Sequence, residues 1–453
     1  MIELALLLAL ARPDTPGTDE FFRFDEGDSV EVFDSLRFRV HFTRAGEHAV
    51  PLQDADANGA PDHVEQISEV YEEVLDCYTD TLGYRAPLAD QGTNAANNDA
   101  RFDVYLVDFG FSADGSFRAE SCTGERCAGF MVQENDFAGY GYSSVTYANR
   151  LLASHELFHA VQAAYDSGQG AVLSEGTAVW ASEQFDPSLD DLEGYGESYL
   201  LDTSRPLNSD GGAPVDPFTY GAAIFFEHLA QAHGDNIVRA LWEGVAQVEG
   251  ADWFDLLDNV IVQAGGTGFA DDFTTFATST LPETTAEPES LPLSKASHLV
   301  FISSWRTVAA NPAGRSEVRV ALAGAEEDLE GLVLVVAPDG ETAEVVDGFD
   351  VTRPSVDAFF AVQVINTRQT GNGARPRLCV GDEQEVEACL AKDNPPQVDA
   401  GPDADVPPTT CACASADARS LAGAGGTVAL LPLLAVLLRH APRRGRTRAP
   451  AAT

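Results

Sequence analysis

Over the first two thirds of the chain, apolar positions recur mainly at helical spacing, with two short alternating runs between them. Ser35–Phe42 (SLRFRVHF) alternates and predicts a strand, and Phe102–Phe109 (FDVYLVDF) predicts another. Between them Ile67, Val70, Tyr71, Val74, Leu75 and Tyr78 share one face of a predicted helix over Ile67–Leu82. Helices are also predicted over residues 148–165 and 175–185, from about Tyr220 to Ala232, and from Asn236 to Val248. Leu281–Leu293, rich in Pro, Glu, Thr and Ser, reads as an interdomain linker. From His298 to Val380 the pattern changes to short β-rich runs (LVFISSW, SEVRVALA, LEGLVLVVA, AEVVDGF, DAFFAVQVI) parted by Gly, Pro, Asp and Asn. That pattern predicts an antiparallel β-sandwich of about 90 residues, placed at residues 294–390 after a domain at 30–280. Residues 12 to about 30 are polar and acidic and predict a mobile lead-in; residues 391–410 predict a disordered stalk. The fold class expected is α+β.

Charge narrows the partners. The 453 residues carry 27 Lys+Arg against 72 Asp+Glu, a net charge of −45. Such a field repels nucleic acid and anionic lipid and favours calcium, a ligand of carboxylate oxygens. Both ends predict targeting. Leu4–Ala11 (LALLLALA) resembles the last part of a secretory signal, although Glu3 precedes it and no cation does, so residues 1–11 are expected to be a signal segment. Leu421–Leu438 is 18 residues without a charge, interrupted by Pro432 and followed by Arg439, Arg443, Arg444, Arg446 and Arg448. A single span with the preceding chain outside is the expectation. Export permits disulfides. Cys122 and Cys127 enclose a small loop, Cys379 and Cys389 form a second local pair, and Cys77 is left as a buried thiol. No pair has the Cys-x-x-Cys spacing of a zinc site.

The chemistry sits in Leu151–Tyr165, LLASHELFHAVQAAY. Positions i and i+4 of a helix share a face, so His155 and His159 can each give a nitrogen to one metal. Glu156 lies beside the open coordination position, where a carboxylate can take the proton of metal-bound water. Ala153, Leu157, Ala160, Val161 and Ala164 make an apolar opposite face that the fold can bury. The bland alternative is a core helix with two satisfied histidines. Against it stands Val172–Phe185, VLSEGTAVWASEQF. There Ser174 is read as the cap of a helix starting near Glu175, whose carboxylate the chain can bring back to the metal as a third ligand. The alternative for Glu175 is an acid favoured by a helix dipole.

HELFH followed by SEGTAVW resembles the gluzincin metallopeptidases. The stretch from Ala49 to Gln184 is more closely similar to secreted metallopeptidases of myxobacteria, through VPLQDADANGAPDHVE, RFDVYLVDFG, ENDFAGYGY and ASHELFHAVQAAYD, about a third of the chain. The resemblance implies a gluzincin-like α+β domain and peptide-bond hydrolysis of a peptide or protein substrate. It makes His155, His159 and Glu175 the zinc ligands and Glu156 the general base. One departure is Val179, which stands where thermolysin-type members carry an acid that orients a ligand histidine; Glu183 is the candidate substitute. Tyr220, in PFTYGAAIFFEHL, is the candidate donor to the developing oxyanion, with His228 and His233 as alternatives.

Asp54-Ala-Asp56-Ala-Asn58-Gly59-Ala60-Pro-Asp62-His-Val-Glu65 matches every ligand position of a 12-residue EF-hand loop. Asp54, Asp56, Asn58, the Ala60 carbonyl, Asp62 and Glu65 are the calcium ligands expected, and Gly59 makes the turn. A helix follows the loop but none precedes it. Asp108, Asp114 and Asp136 could form a second, looser site. At the far end CACAS, an apolar segment and an arginine cluster resemble a myxobacterial C-terminal sorting tail over residues 411–453. That likeness implies export, attachment to the outer surface or membrane, and processing near Cys411 or Cys413. Two rival readings stand: a non-catalytic calcium-binding surface or adhesion protein, and an aminopeptidase or narrow processing enzyme.

Overall fold

The first sheet has five strands, and successive side chains along each turn to opposite faces. The strands are β1 (Val30–Asp34), β2 (Phe38–Thr43), β3 (Phe102–Val107), β4 (Gly115–Thr123) and β5 (Arg126–Glu134). The spatial order is β1-β2-β3-β5-β4; β2, β3 and β5 run parallel, and β1 and β4 are antiparallel edges. Phe38, Val40, Phe42, Phe102, Val104 and Leu106 point into the main core. Tyr105, Val107, Phe130 and Val132 point the other way, into a smaller core with Phe24 and Phe109. With both faces covered, every residue of β2 and β3 is buried. The residues described in this computed structural model are 12–15, 22–89, 99–209, 216–248, 250–280, 289–290, 297–298, 303–310, 317–323, 329–336, 343–346, 350–354, 360–370 and 377–391. The signal segment, nearly all of the linker, the stalk and the C-terminal tail lie outside them, Leu421–Leu438, Cys411 and Cys413 included.

On one face of the sheet lie α1 (Asp62–Asp76) and α2 (Val145–Ala163). The last turn of α1 widens over Cys77–Thr81, where Leu82 N–H reaches back five residues to the Cys77 carbonyl. Then follow α3 (Ala171–Phe185), α4 (Asp191–Leu200), α5 (Pro217–Gly221), α6 (Ala223–His233), α7 (Asn236–Gln247), α8 (Trp253–Gln263) and α9 (Phe269–Ser279). Gly176 lets α3 approach its neighbours: a Cβ there would stand 2.8 Å from the Phe226 ring and 3.3 Å from the Thr219 carbonyl.

The β-rich part forms two further sheets, one ordered β11-β10-β13-β8-β6 and the other β12-β9-β14-β7. Their strands are β6 (Glu289–Ser290), β7 (Ser297–His298), β8 (Ser304–Ala310), β9 (Glu317–Ala323), β10 (Leu329–Val336), β11 (Ala343–Val346), β12 (Asp350–Pro354), β13 (Phe360–Asn366) and β14 (Arg377–Gly381), followed by α10 (Glu383–Leu390). Trp305 of β8 is fully buried against Phe273, Phe276 and Tyr199 of the helices. Trp305 N–H donates to the Thr203 carbonyl, and the Gln363 amide donates to the Ala277 carbonyl. Disulfides join Cys122 to Cys127 and Cys379 to Cys389; Cys77 is free and half-buried rather than buried.

Three expectations need correction. The lead-in is tied down where it is described: Arg12 is 2% exposed and pairs with Asp103 at 2.6 Å and Glu120 at 2.7 Å. Only a pairing across more than 90 residues explains that, and local composition is blind to it. The second helix of the metal motif starts at Ala171, not near Glu175. Gly170 is its extended cap, and Ser174 N–H already donates to the Gly170 carbonyl. The expected helix from Tyr220 to Ala232 is two pieces, α5 and α6, meeting at Ala222. Among the described residues no helix is long and apolar enough to cross a membrane.

Candidate metal centre

The middle of α2 and the second turn of α3 meet over β4. Ser144 caps α2 by accepting from Tyr147 N–H, and 19 helical residues follow without Pro or Gly. Leu157, Ala160 and Val161 anchor its buried face, so His155 and His159 are held on the other. The α2–α3 turn brings Glu175 against both. His155 Nε2 stands 3.2 Å from His159 Nε2 and 3.2 Å from Glu175 Oε2; His159 Nε2 stands 3.4 Å from the same oxygen. Ligands at tetrahedral positions around a zinc, about 2.0–2.1 Å out, would stand roughly 3.3–3.4 Å apart. The donor set fits the metal in kind and in spacing.

Electrostatics favour a cation at that point. Burial alone would raise the Glu175 carboxyl, but the two imidazoles outweigh it and hold it far below the usual carboxylate range. Burial opposes charge on His159, yet Glu175 outweighs it and pushes the imidazole up to about 9; His155 is raised by the same balance. The trio draws positive charge, whether protons or a metal.

Which nitrogen His159 offers is settled by Gln162, one turn along α2. His159 Nδ1 lies 2.8 Å from Gln162 Oε1. The Gln162 amide group donates to the Ser174 carbonyl at 2.7 Å and to Thr177 Oγ1 at 3.0 Å. Thr177 in turn donates to the Leu173 carbonyl and accepts from Trp242 Nε1 at 3.1 Å. Every donor in this chain has an acceptor, so the amide cannot be turned round. Gln162 Oε1 must accept from Nδ1–H of His159, so Nε2 is the nitrogen that would ligate a metal.

Glu156 faces the same point, with a carboxylate oxygen inside the 4.8 Å cluster it forms with both histidines. Its Oε2 accepts from Phe117 N–H of β4 at 2.9 Å, which fixes the carboxylate at the edge of the sheet. The Tyr220 ring stacks on His155 at 5.7 Å and on Tyr195 at 4.8 Å, so that tyrosine lines the centre. His228 and His233 do not; they turn to Asp272 of α9, His233 at 2.7 Å. Glu183 lies two turns beyond Glu175 on α3, and the orienting role expected of it is filled by Gln162. Motif spacing missed Asp191, at the start of α4, whose carboxyl feels His155: desolvation raises it, while neighbouring His155 lowers it. Asp114 accepts from the Tyr142 hydroxyl.

In the acidic loop, Gly59 takes a φ of +98°. Asp54, Asp56 and Asp62 bring carboxylate oxygens within 4.8 Å of one another. Asp54 accepts from the backbone of Asn58 and Gly59, and Asp62 from that of Ala55, which wraps the loop around them. The Asn58 amide donates to Asp56 and Glu65, sitting between carboxylates as a cation would. Asp108, Asp114 and Asp136 are not gathered at ligand distance; Asp108 and Asp136 each accept from the backbone of their own turn.

No family model matches the chain, and no curated protein matches it. Among solved structures, the chain is similar to a two-domain M1 zinc metallopeptidase bound to L-tryptophan, at 14% identity and a TM-score of 0.31. That match covers 55% of this chain and 51% of the other, so the chain spans about half the length of that neighbour. It is also similar to the pre-peptidase C-terminal domain of a Bacillus anthracis collagenase, at 11% identity and a TM-score of 0.17, over 21% of this chain and 94% of that one. Scores this low establish no shared fold.

Proposed function

We propose that the protein is a zinc-dependent peptidase with His155, His159 and Glu175 as metal ligands and Glu156 as general base. The observation that carries the reading is the triangle of ligand atoms at 3.2, 3.2 and 3.4 Å with the Glu156 carboxylate beside it. Zinc bound there would supply Lewis acidity towards a carbonyl and towards water. Glu156, steadied through one oxygen by Phe117 N–H, has its other oxygen to take a proton from the attacking water and return it to the departing amine. Tyr220, against His155, is the donor we assign to the developing oxyanion. We further propose that the loop from Asp54 to Glu65 holds calcium and stiffens the entry to α1. Export and surface attachment remain part of the proposal, supported by two disulfides, which belong to an oxidising compartment.

Elemental analysis tests the centre without a guess about substrate. One zinc per chain is expected in the wild type and none in His159→Ala, with Glu156→Gln keeping the metal and losing hydrolysis. A folded wild type without zinc would favour the calcium-binding surface protein instead, and a fully active Glu156→Gln would overturn the mechanism.

A further inference from the structure

A cavity of about 50 Å³ opens beside His159 and Glu175, between the edge strand β4 and the C-terminal end of α2. Much of its wall is apolar: Phe117 and Ala119 from β4, Ala163 from α2, Trp242 from α7. The rest of the wall is polar, and beyond the proposed metal ligands its one charged group is Asp166, just past α2. It is 4% exposed. Its Oδ1 accepts from Gly168 N–H at 2.8 Å and its Oδ2 from the Gln169 amide at 2.9 Å. Both donors are neutral, and Asp166 makes no ion pair among the described residues. Each oxygen keeps a further lone pair. A buried anion held only by neutral donors is poorly compensated, and a cation brought to it is attracted more strongly than in water.

We propose that this cavity is a substrate subsite for a basic side chain, lysine or arginine, on a residue flanking the bond attacked. The proposal deepens the peptidase reading and rests on it, because the walls include two of the metal ligands. The match is one of shape and charge together. The aliphatic stem of lysine or arginine lies along Phe117, Ala119 and Trp242 while its charged end meets Asp166. A leucine would seal the carboxylate in without a cation to balance it, and a glutamate would meet it with like charge. The net charge of −45 draws basic peptides towards the same end.

The full-length protein tests this in two parallel readouts. Fluorescein-labelled peptides Ala-Ala-Xaa-Ala-Ala, with Xaa as Lys, Arg, Leu or Glu, are titrated into zinc-loaded Glu156→Gln, where binding is read without turnover. Cleavage of the same peptides by the wild type is followed by mass spectrometry. The Lys and Arg peptides are expected to bind at least about tenfold more tightly than the Leu and Glu peptides. Asp166→Asn, added to Glu156→Gln, should erase that difference. Asp166 also holds its own turn, so Ala119→Phe, which fills the cavity from a half-buried strand position, is made alongside. It should erase the preference with the melting temperature unchanged. Equal affinity for all four peptides, or a basic preference that survives both substitutions, overturns the subsite. Cleavage without the preference removes the subsite and leaves the peptidase. The preference in binding without any cleavage removes the peptidase and leaves a site for basic peptides.

Discussion

In the proposed metal centre Gln162 would act on a ligand without touching the metal itself. Its amide is locked by Ser174 and Thr177, Thr177 is locked by Leu173 and Trp242, and the result is one defined tautomer of His159. Orienting partners of this kind are typically worth about 10–100-fold in metal affinity. Gln162→Leu is therefore expected to weaken zinc binding by about that factor in a chelator competition. Gln162→Glu keeps the acceptor for Nδ1–H but turns a second oxygen onto the Ser174 carbonyl, so it should restore only part of the affinity. If Gln162→Leu melts lower but binds zinc as tightly as the wild type, the residue only packs the core. His155, Glu156 and His159 were legible in the sequence because their relation is local to one helix. Gln162 lies just one turn further along, yet its role was not legible. Its partners stand 12, 15 and, through Thr177, a further 65 residues away.

At the scale of elements, legibility followed the range of the causes. Helical spacing located α1, which buries one continuous stripe, while α2, buried around most of its circumference, was marked by the His155–His159 spacing. The start of α3 was misjudged because Ser174 looks like a cap, whereas the apolar Val172 and Leu173 before it are fully buried and extend the helix back to Ala171. Strand β4 was missed because, as a sheet edge, it is only partly buried and its residues alternate poorly. The buried Arg12–Asp103–Glu120 cluster joins three remote segments and has no local signature. The acidic loop is the opposite case, because the turn at Gly59 and the approach of Asp54, Asp56 and Asp62 are set within 12 consecutive residues. Its carboxylates repel one another across the turn, so an ion that joins them should stabilise the start of α1. Calcium titrated into calcium-free protein at constant zinc is expected to raise the melting temperature. At a concentration about 100 times Kd the gain would be about 2.7 kcal/mol. Glu65→Gln should abolish that response, and a wild type that melts identically with and without calcium counts against the loop.

At the scale of the molecule, the question is whether the β-rich segment is a separate module or part of one body with the helices. The change from helical to alternating pattern near residue 298 suggests a boundary, and the strands that follow obey it. Yet Trp305, at the start of β8, is driven into the aromatic core of Tyr199, Phe273 and Phe276 with no measurable exposure. Backbone bonds from Trp305 to Thr203 and from Leu207 to Ser303 fasten the same joint. The other end of that core reaches the metal centre: Tyr199 belongs to α4, which also carries Tyr195, stacked on Tyr220 and through it on His155. Truncating a buried tryptophan typically costs about 3–5 kcal/mol. If the joint makes the two parts one cooperative unit, Trp305→Ala should lower the denaturation midpoint of the helical far-ultraviolet signal by an amount that reflects this cost. The metal-centre residues should lose zinc in the same transition. A β module merely resting on the helices would respond otherwise: the helical transition and the zinc release would stay where they are in the wild type, and only the sheet signal would move.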